Sequence, residues 1–382
     1  MPHFTTAEFA ARLSRTRAAM DEAGLDGMLL FAPESHYWLT GYDTFGFCFF
    51  QCMVLPRHGE PVLLTRSADL RQAQHTSILS DIRIWKDGEG VNPADDLKAL
   101  LKDMGLYKRK RLGVEFDTPG LTAHSWRRIE SVLKRPELVD ASTLIPGLRL
   151  IKSAAELTYV RKAAVLSDQA LDAAIEMTGP GAHEGAILAA MQGEILARGG
   201  DYAGNEFIIG SGEGALLCRY FSGRRRIDSR DQLTLEWSGA WRRYHAPMMN
   251  TLVIGKPRRE HERMREAVQA ALLACEGAMR PGNTMGDVFN EHVQILDEYG
   301  YRQERLNACG YSVGSRFNPC WMDSHMFYEG AETRIEENMT FFLHMILMDS
   351  ETGAAQCLGR TSLVTADGCE SLSRSTLDLI TR

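Results

Sequence analysis

Residues 205–257 read NEFIIGSGEGALLCRYFSGRRRIDSRDQLTLEWSGAWRRYHAPMMNTLVIGKP. Phe207 to Ile209, Leu233 to Trp237 and Thr251 to Ile254 are β-favouring runs separated by Gly, Ser, Arg and Asp, which predicts two strand hairpins carrying a turn-rich loop. Side chains alternate faces along a strand, so Leu233, Leu235 and Trp237 share one face while Thr234, Glu236 and Ser238 share the other. A carboxylate centred in an apolar strand therefore has a fixed direction, and Glu236 becomes the first candidate functional residue. Arg219, Arg243, Tyr244 and His245 stand beside the same strands.

The chain has 382 residues, 44% of them hydrophobic, enough for a full core in two medium domains. Its net charge of −7 gives no field favouring nucleic acid, and the Arg224–Arg226 cluster is balanced locally by Asp228 and Asp231. The eight cysteines are scattered without a CxxC pair, and MPHFTTAEFAARLSR lacks the apolar core of a signal peptide. No apolar run approaches the roughly 20 residues that span a bilayer. A cytoplasmic protein with reduced thiols and no membrane role is expected.

Toward the N-terminus, the spacing of Phe9, Leu13 and Met20 predicts a helix over Thr5 to Glu22, stopped by Gly24. Strands are expected at Gly27–Ala32, Phe47–Leu55, Pro61–Thr65, Ile82–Trp85 and Leu112–Glu115, with helices at Ala94–Lys102 and Ala123–Val132 and an aromatic loop at Ser35–Tyr42. This alternation indicates an α/β domain over residues 1–146. Pro146 and Gly147 interrupt periodicity, so Leu144–Leu150 reads as a linker.

The remainder, 147–382, repeats a unit. Helices are expected at Leu157–Met177 and His183–Arg198 before the sheet segment, and at Glu260–Met279 and Met285–Tyr299 before strands around Thr340–Met348 and Thr361–Thr365. The fold class is α/β (α+β), its second domain built from two similar halves over one sheet.

Three stretches resemble the pita-bread superfamily of methionine aminopeptidases, Xaa-Pro dipeptidases, creatinase and ectoine hydrolase. They are the Glu236 strand followed by Tyr244-His245-Ala246, the aromatic segment ending Leu39-Thr40-Gly41, and the helix entry Ile151–Leu157. The resemblance implies a creatinase-like N-terminal domain, a catalytic domain with a pseudo-twofold repeat, and a homodimer in which aromatics such as Tyr37 reach the partner's site. It also implies a dinuclear metal centre held by five acidic or imidazole ligands. Those five positions here read Glu236, Pro247, Tyr311, His344 and Gly359. Proline and glycine offer no side-chain ligand, so no metal and no other cofactor is expected, and the chain is similar to the metal-deficient branch of ectoine hydrolase and creatinase.

The resemblance then implies hydrolysis of a non-peptide C–N bond. A planar amidinium or guanidinium already carries the positive charge that a peptide carbonyl draws from a metal, and a carboxylate can bind it and activate water or attack its carbon. Glu236 is the expected nucleophile or base, with His344, His245 and Tyr311 as further catalytic candidates. Arg219 falls where the superfamily has a catalytic histidine; a guanidinium grips a carboxylate with two parallel hydrogen bonds but cannot shuttle protons. Arg360 is a second candidate anion clamp. Asp323, Trp237, Trp321 and Tyr37 complete the expected binding set, the tryptophans by stacking on a planar cation. Two alternatives stand beside this reading: an Xaa-Pro dipeptidase with an atypical mononuclear metal site, and an inactive pita-bread protein that only binds a ligand or partner.

Overall fold

The structure, a computed structural model, describes residues 2–219 and 223–382. It divides into two compact units, one ending at Arg149 and one beginning at Leu150.

The N-terminal unit contains α1 (Thr6–Glu22), β1 (Gly27–Leu30), α2 (Pro33–Thr40), β2 (Cys52–Pro56), β3 (Val62–Arg66), α3 (Leu70–Thr76), β4 (Asp81–Trp85), α4 (Pro93–Asp103), β5 (Arg111–Val114), α5 (Ala123–Val132), β6 (Glu137–Asp140) and α6 (Leu144–Leu150). Its mixed sheet has the order β4-β3-β2-β1-β5-β6. Two expectations are corrected here. The aromatic segment 35–42 is mostly helix α2, with Pro33 opening it and Gly41 closing it at a left-handed φ of 84°. Its N-terminal end is fixed from far along the chain: the buried Glu115 carboxylate accepts the N–H groups of Phe31 and Ala32, both at 2.9 Å, and the Ser35 hydroxyl. The supposed linker is also helical, because Pro146 lies in the first turn of α6, where no intrahelical N–H bond is lost.

The C-terminal unit contains α7 (Ala154–Met177), α8 (Glu184–Ala197), β7 (Ile208–Ser211), β8 (Asp231–Trp241), β9 (Tyr244–Ile254), α9 (Arg259–Ala278), α10 (Met285–Glu298), β10 (Gly310–Ser312), β11 (Thr340–Asp349), β12 (Ala354–Thr365), β13 (Gly368–Ser371) and β14 (Ile380–Thr381). The central order β10-β11-β12-β9-β8-β7 reads outward symmetrically from the β12–β9 pair, with β13 added to β12 and β14 to β9. Each half supplies two helices and three strands, which is the repeat expected from sequence.

Alternation along the long strands separates a helix-facing core from a second face. Trp237 on β8 turns to α7, its Nε1–H donating to the Ser167 carbonyl at 2.9 Å. Ser167 Oγ accepts the Gly239 N–H at 2.6 Å and donates to the Ala246 carbonyl at 2.5 Å, tying α7 to both strands of the hairpin. On β11, Phe341, Leu343 and Met345 share a core with Met264, Val268 and Leu272 of α9. The intervening residues, Glu236 on β8 and Phe342 and His344 on β11, are left for the other face. Among the described residues no helix is long and apolar enough to cross a membrane.

Candidate functional site

One row of paired residues crosses the four central strands. Glu236 is opposite Met249, Met249 opposite Gly359, and Gly359 opposite His344. Directly paired residues project to the same face, so this register alone puts Glu236 and His344 on one side of the sheet, roughly 14 Å apart at three strand spacings. Between them opens a cavity of about 170 Å³ whose wall includes Arg219, Glu236, Tyr311, Trp321 and His344. Asn205, Cys218, Cys320 and Met326 also line it.

Tyr311 bridges the two ends of that row. Its hydroxyl lies 3.4 Å from Glu236 Oε1 as donor and accepts the Trp321 Nε1–H at 2.8 Å, while its ring is 5.8 Å from the His344 imidazole. Trp321 is held in turn by Asn205, whose Oδ1 accepts the Trp321 backbone N–H at 3.1 Å. Loss of solvent around the Glu236 carboxyl pushes it up to about 7, against the opposing pull of Arg219 and the Tyr311 hydrogen bond. Burial also pushes His344 down to about 4, with Arg219 acting in the same direction, so its imidazole is neutral at pH 7. His344 Nδ1 has no hydrogen-bond partner among the described residues. Arg219 makes no ion pair among them either.

The structure brings together five of the expected residues, Glu236, His344, Tyr311, Arg219 and Trp321, and sets four others of the same unit, His245, Arg360, Asp323 and Trp237, apart from them. His245 is fully buried outside the cavity, with Nε2 accepting the Gly204 N–H at 2.9 Å and Nδ1 3.4 Å from the Gly314 carbonyl. With both nitrogens engaged it has no atom to offer a reacting proton. Arg360 is consumed by a two-bond pair with Glu276, at 2.8 and 2.7 Å. Asp323 sits 3.7 Å from Arg316 and accepts the Ser324 N–H, away from the cavity wall. Trp237 belongs to the helix-facing core for the reason of strand alternation already given. Tyr37 is buried in the N-terminal unit with its hydroxyl 2.9 Å from His3 Nδ1. Asn205 was not anticipated: its partner lies 116 positions away, and no local spacing connects them.

The superfamily's dinuclear metal does not fit these residues. Of the five ligand positions only Glu236 and His344 present a carboxylate or imidazole, and no group of three His, Cys, Asp or Glu side chains able to hold an ion occurs among the described residues. Tyr311 directs its hydroxyl at Glu236, and burial beside that carboxyl holds its phenol well above the usual range, so it is a poor anionic ligand. At Gly359 the space for a ligand is already filled: a Cβ there would lie 2.9 Å from the Phe342 ring and 2.7 Å from the Leu343 carbonyl oxygen.

Two helix-helix-strand halves over one sheet, a separate α/β unit ahead of them, and a cavity on the strand face define a protein of the creatinase and prolidase type. The chain belongs to metallopeptidase family M24, matched over residues 158–366, and is preceded by a Creatinase/Prolidase N-terminal domain over 12–151. It is similar to the ectoine hydrolase of Halomonas elongata, 27% identical over 390 residues that cover 97% of this chain and 96% of that one. It is also similar to the Xaa-Pro dipeptidase of Pyrococcus furiosus, 22% identical over 369 residues covering 97% of this chain and 99% of that one. Among solved structures, a prolidase from Thermococcus sibiricus superposes with a TM-score of 0.89 at 18% identity over 98% of this chain and 99% of its own. An Xaa-Pro dipeptidase from Bacillus anthracis superposes at 0.85 with 21% identity over 98% and 100%. These structural likenesses establish the fold. The chain is a member of a hydrolase family, with relatives acting on both peptide and non-peptide bonds.

Proposed function

We propose that this protein hydrolyses a non-peptide C–N bond in a small compound that carries a carboxylate and a planar amidine, guanidine or cyclic amide group, and that it does so without a metal. The observation that carries this reading is Glu236, a half-buried carboxyl held near neutrality in a cavity whose only cation, among the described lining residues, is Arg219. Arg219 is free to take the substrate carboxylate. The ionised form of Glu236 faces the planar carbon and takes a proton from water as the water oxygen bonds to that carbon; the resulting carboxylic acid returns the proton to the departing nitrogen as the C–N bond breaks. A carboxyl titrating near 7 suits both halves of that cycle. The likeness to ectoine hydrolase supports the bond type.

The test is turnover of a panel of carboxylated amidines, guanidines and cyclic amides by chelator-treated protein, with metal content measured in parallel. Glu236→Gln is expected to lower kcat/KM by roughly 10²–10⁴-fold, while Arg219→Met raises KM for carboxylated substrates. The dipeptidase relatives and the unpartnered Nδ1 of His344 support a second reading, a mononuclear metallopeptidase. Stoichiometric bound metal with chelator-sensitive cleavage of Xaa-Pro dipeptides establishes that reading and ends the first. Ligand binding retained in Glu236→Gln, with no turnover in the unmodified protein, ends both in favour of a binding protein. The superfamily resemblance further supports a homodimer, which native mass spectrometry tests in the same preparation, and eight unbridged cysteines support a cytoplasmic setting.

A further inference from the structure

We infer that His245 is the positioning residue of this site, setting the place of Glu236 through the two segments that carry Trp321 and Tyr311. The inference rests on the proposed role of Glu236 for its catalytic consequence, although its geometry does not. His245 Nδ1 faces the carbonyl of Gly314, on the segment continuing from β10 and Tyr311, and the His245 backbone N–H donates to that same oxygen at 3.1 Å. His245 Nε2 accepts from Gly204 N–H. Gly204 lies flat against the next piece of the site: a Cβ on it would come within 2.9 Å of both the Cys320 carbonyl carbon and the Trp321 nitrogen. Its neighbour Asn205 receives the Trp321 N–H, and Trp321 Nε1–H donates to the Tyr311 hydroxyl, which donates to Glu236. One buried imidazole thus ties both segments of the clamp on the carboxyl, and each link is a hydrogen bond or a van der Waals contact of a residue without room to move.

A residue that only stabilised the fold would leave the Glu236 carboxyl titration unchanged in any variant that still folds. The titratable groups around Glu236 are Arg219 and Cys218 after β7, Tyr311 on β10, Cys357 on β12, Cys320 and His344. Substitution at 245 removes side-chain bonds to the backbone of Gly204 and Gly314, and the nearest atoms to a Cβ at 204 are backbone atoms of Cys320 and Trp321, so no titratable side chain is contacted directly. Loosening the clamp admits water, and burial is the largest influence on this carboxyl, so its titration moves down toward the ordinary carboxylate range.

The experiment is infrared difference titration of the full-length protein without substrate, the Glu236 band being identified by its loss in Glu236→Gln. Trp321 emission is recorded beside it and identified with Trp321→Phe. His245→Leu removes both side-chain bonds, His245→Gln keeps a donor and an acceptor, and Gly204→Ala pushes on Trp321 with His245 intact. His245→Leu and Gly204→Ala are expected to lower the titration midpoint by about one unit or more and to shift Trp321 emission to the red, with His245→Gln between them and the original. An unchanged midpoint and emission in folded His245→Leu or Gly204→Ala overturns the inference. Should His245→Leu not fold, Gly204→Ala and His245→Gln carry the test, and because no substrate is present an error in the proposed reaction leaves the outcome readable.

Discussion

At the scale of the residue, Glu236 makes a statement about stability as well as chemistry. Its folded-state value near 7 lies above the ordinary 4.5, so the native state holds its proton more tightly than the unfolded chain does. The stability contributed is fully present below the unfolded value and is lost as pH rises through 7. Glu236→Gln removes a group that is costly only when ionised, so the variant should be more stable than the original at pH 8.5, on the order of 1–3 kcal/mol after allowing for partial solvent access. That gain should shrink toward nothing by pH 5. Urea unfolding of both proteins at the two pH values measures it, and a gain independent of pH would mean Glu236 is ionised throughout. Glu236 itself was legible because strand alternation has a period of two and Leu235 and Trp237, which flank it, are apolar. Arg360 was not separable from it by sequence, since its partner Glu276 lies 84 positions away, and Asp323 was not because no periodicity in the irregular segment around it shows that it turns to Arg316 rather than to the cavity. His245 shows the same limit from the other side: an imidazole beside a site reads as chemistry until its two nitrogens are seen to be engaged.

The elements carry a different kind of information. The row Glu236, Met249, Gly359, His344 exists because four long strands keep register across the pseudo-twofold axis, and α7 keeps β8 in that register through Ser167. Gly239 is where the helix and strand come closest, since a Cβ there would lie 2.1 Å from the Ala163 carbonyl oxygen and 2.8 Å from the Ser167 nitrogen. Both contacts are backbone, which cannot swing aside. Gly239→Ala should therefore destabilise by about 2–4 kcal/mol and weaken the Trp237–Ser167 bond, whereas Gly193→Ala on α8, where a Cβ meets nothing within 4 Å, should be neutral or slightly stabilising. Comparable urea midpoints for the two variants would show that α7 does not hold the strand. The order and type of the helices and long strands were readable from periodicity. Short α3 and β6 carried no expectation, and α2 and α6 were misread because their signals depend on distant support: Glu115 closes the first from 80 or more positions away, and buried Ile145 anchors the second in a core that sequence does not display.

For the whole molecule, acid should separate the two units. In the C-terminal unit His245, His261 and His344 are each pushed down to about 4 and His292 to about 3, with burial the largest cause every time. A histidine depressed below its unfolded value of 6.5 contributes stability that is present above 6.5 and disappears as pH falls toward its folded value. Glu236 works the other way over much of that range and offsets roughly one of the four. The N-terminal unit is nearly balanced, with His36 lowered to about 4 and Glu115 raised to about 7. Between pH 6.5 and 4.5 the C-terminal unit should thus take up about three protons on unfolding and lose up to roughly 4 kcal/mol per pH unit at the steepest point. Below that, Asp287, Asp297, Asp349 and Glu370, all held under the usual carboxylate range by hydrogen bonds, extend the loss. Hydrogen exchange resolved by segment at pH 7 and pH 5 should show protection collapsing first in β8, β9 and β11 while β1, β2 and β5 hold. Simultaneous loss in both units would mean that the buried histidines are not the groups that govern acid lability, and a first loss in the N-terminal sheet would reverse the order that burial of charge imposes.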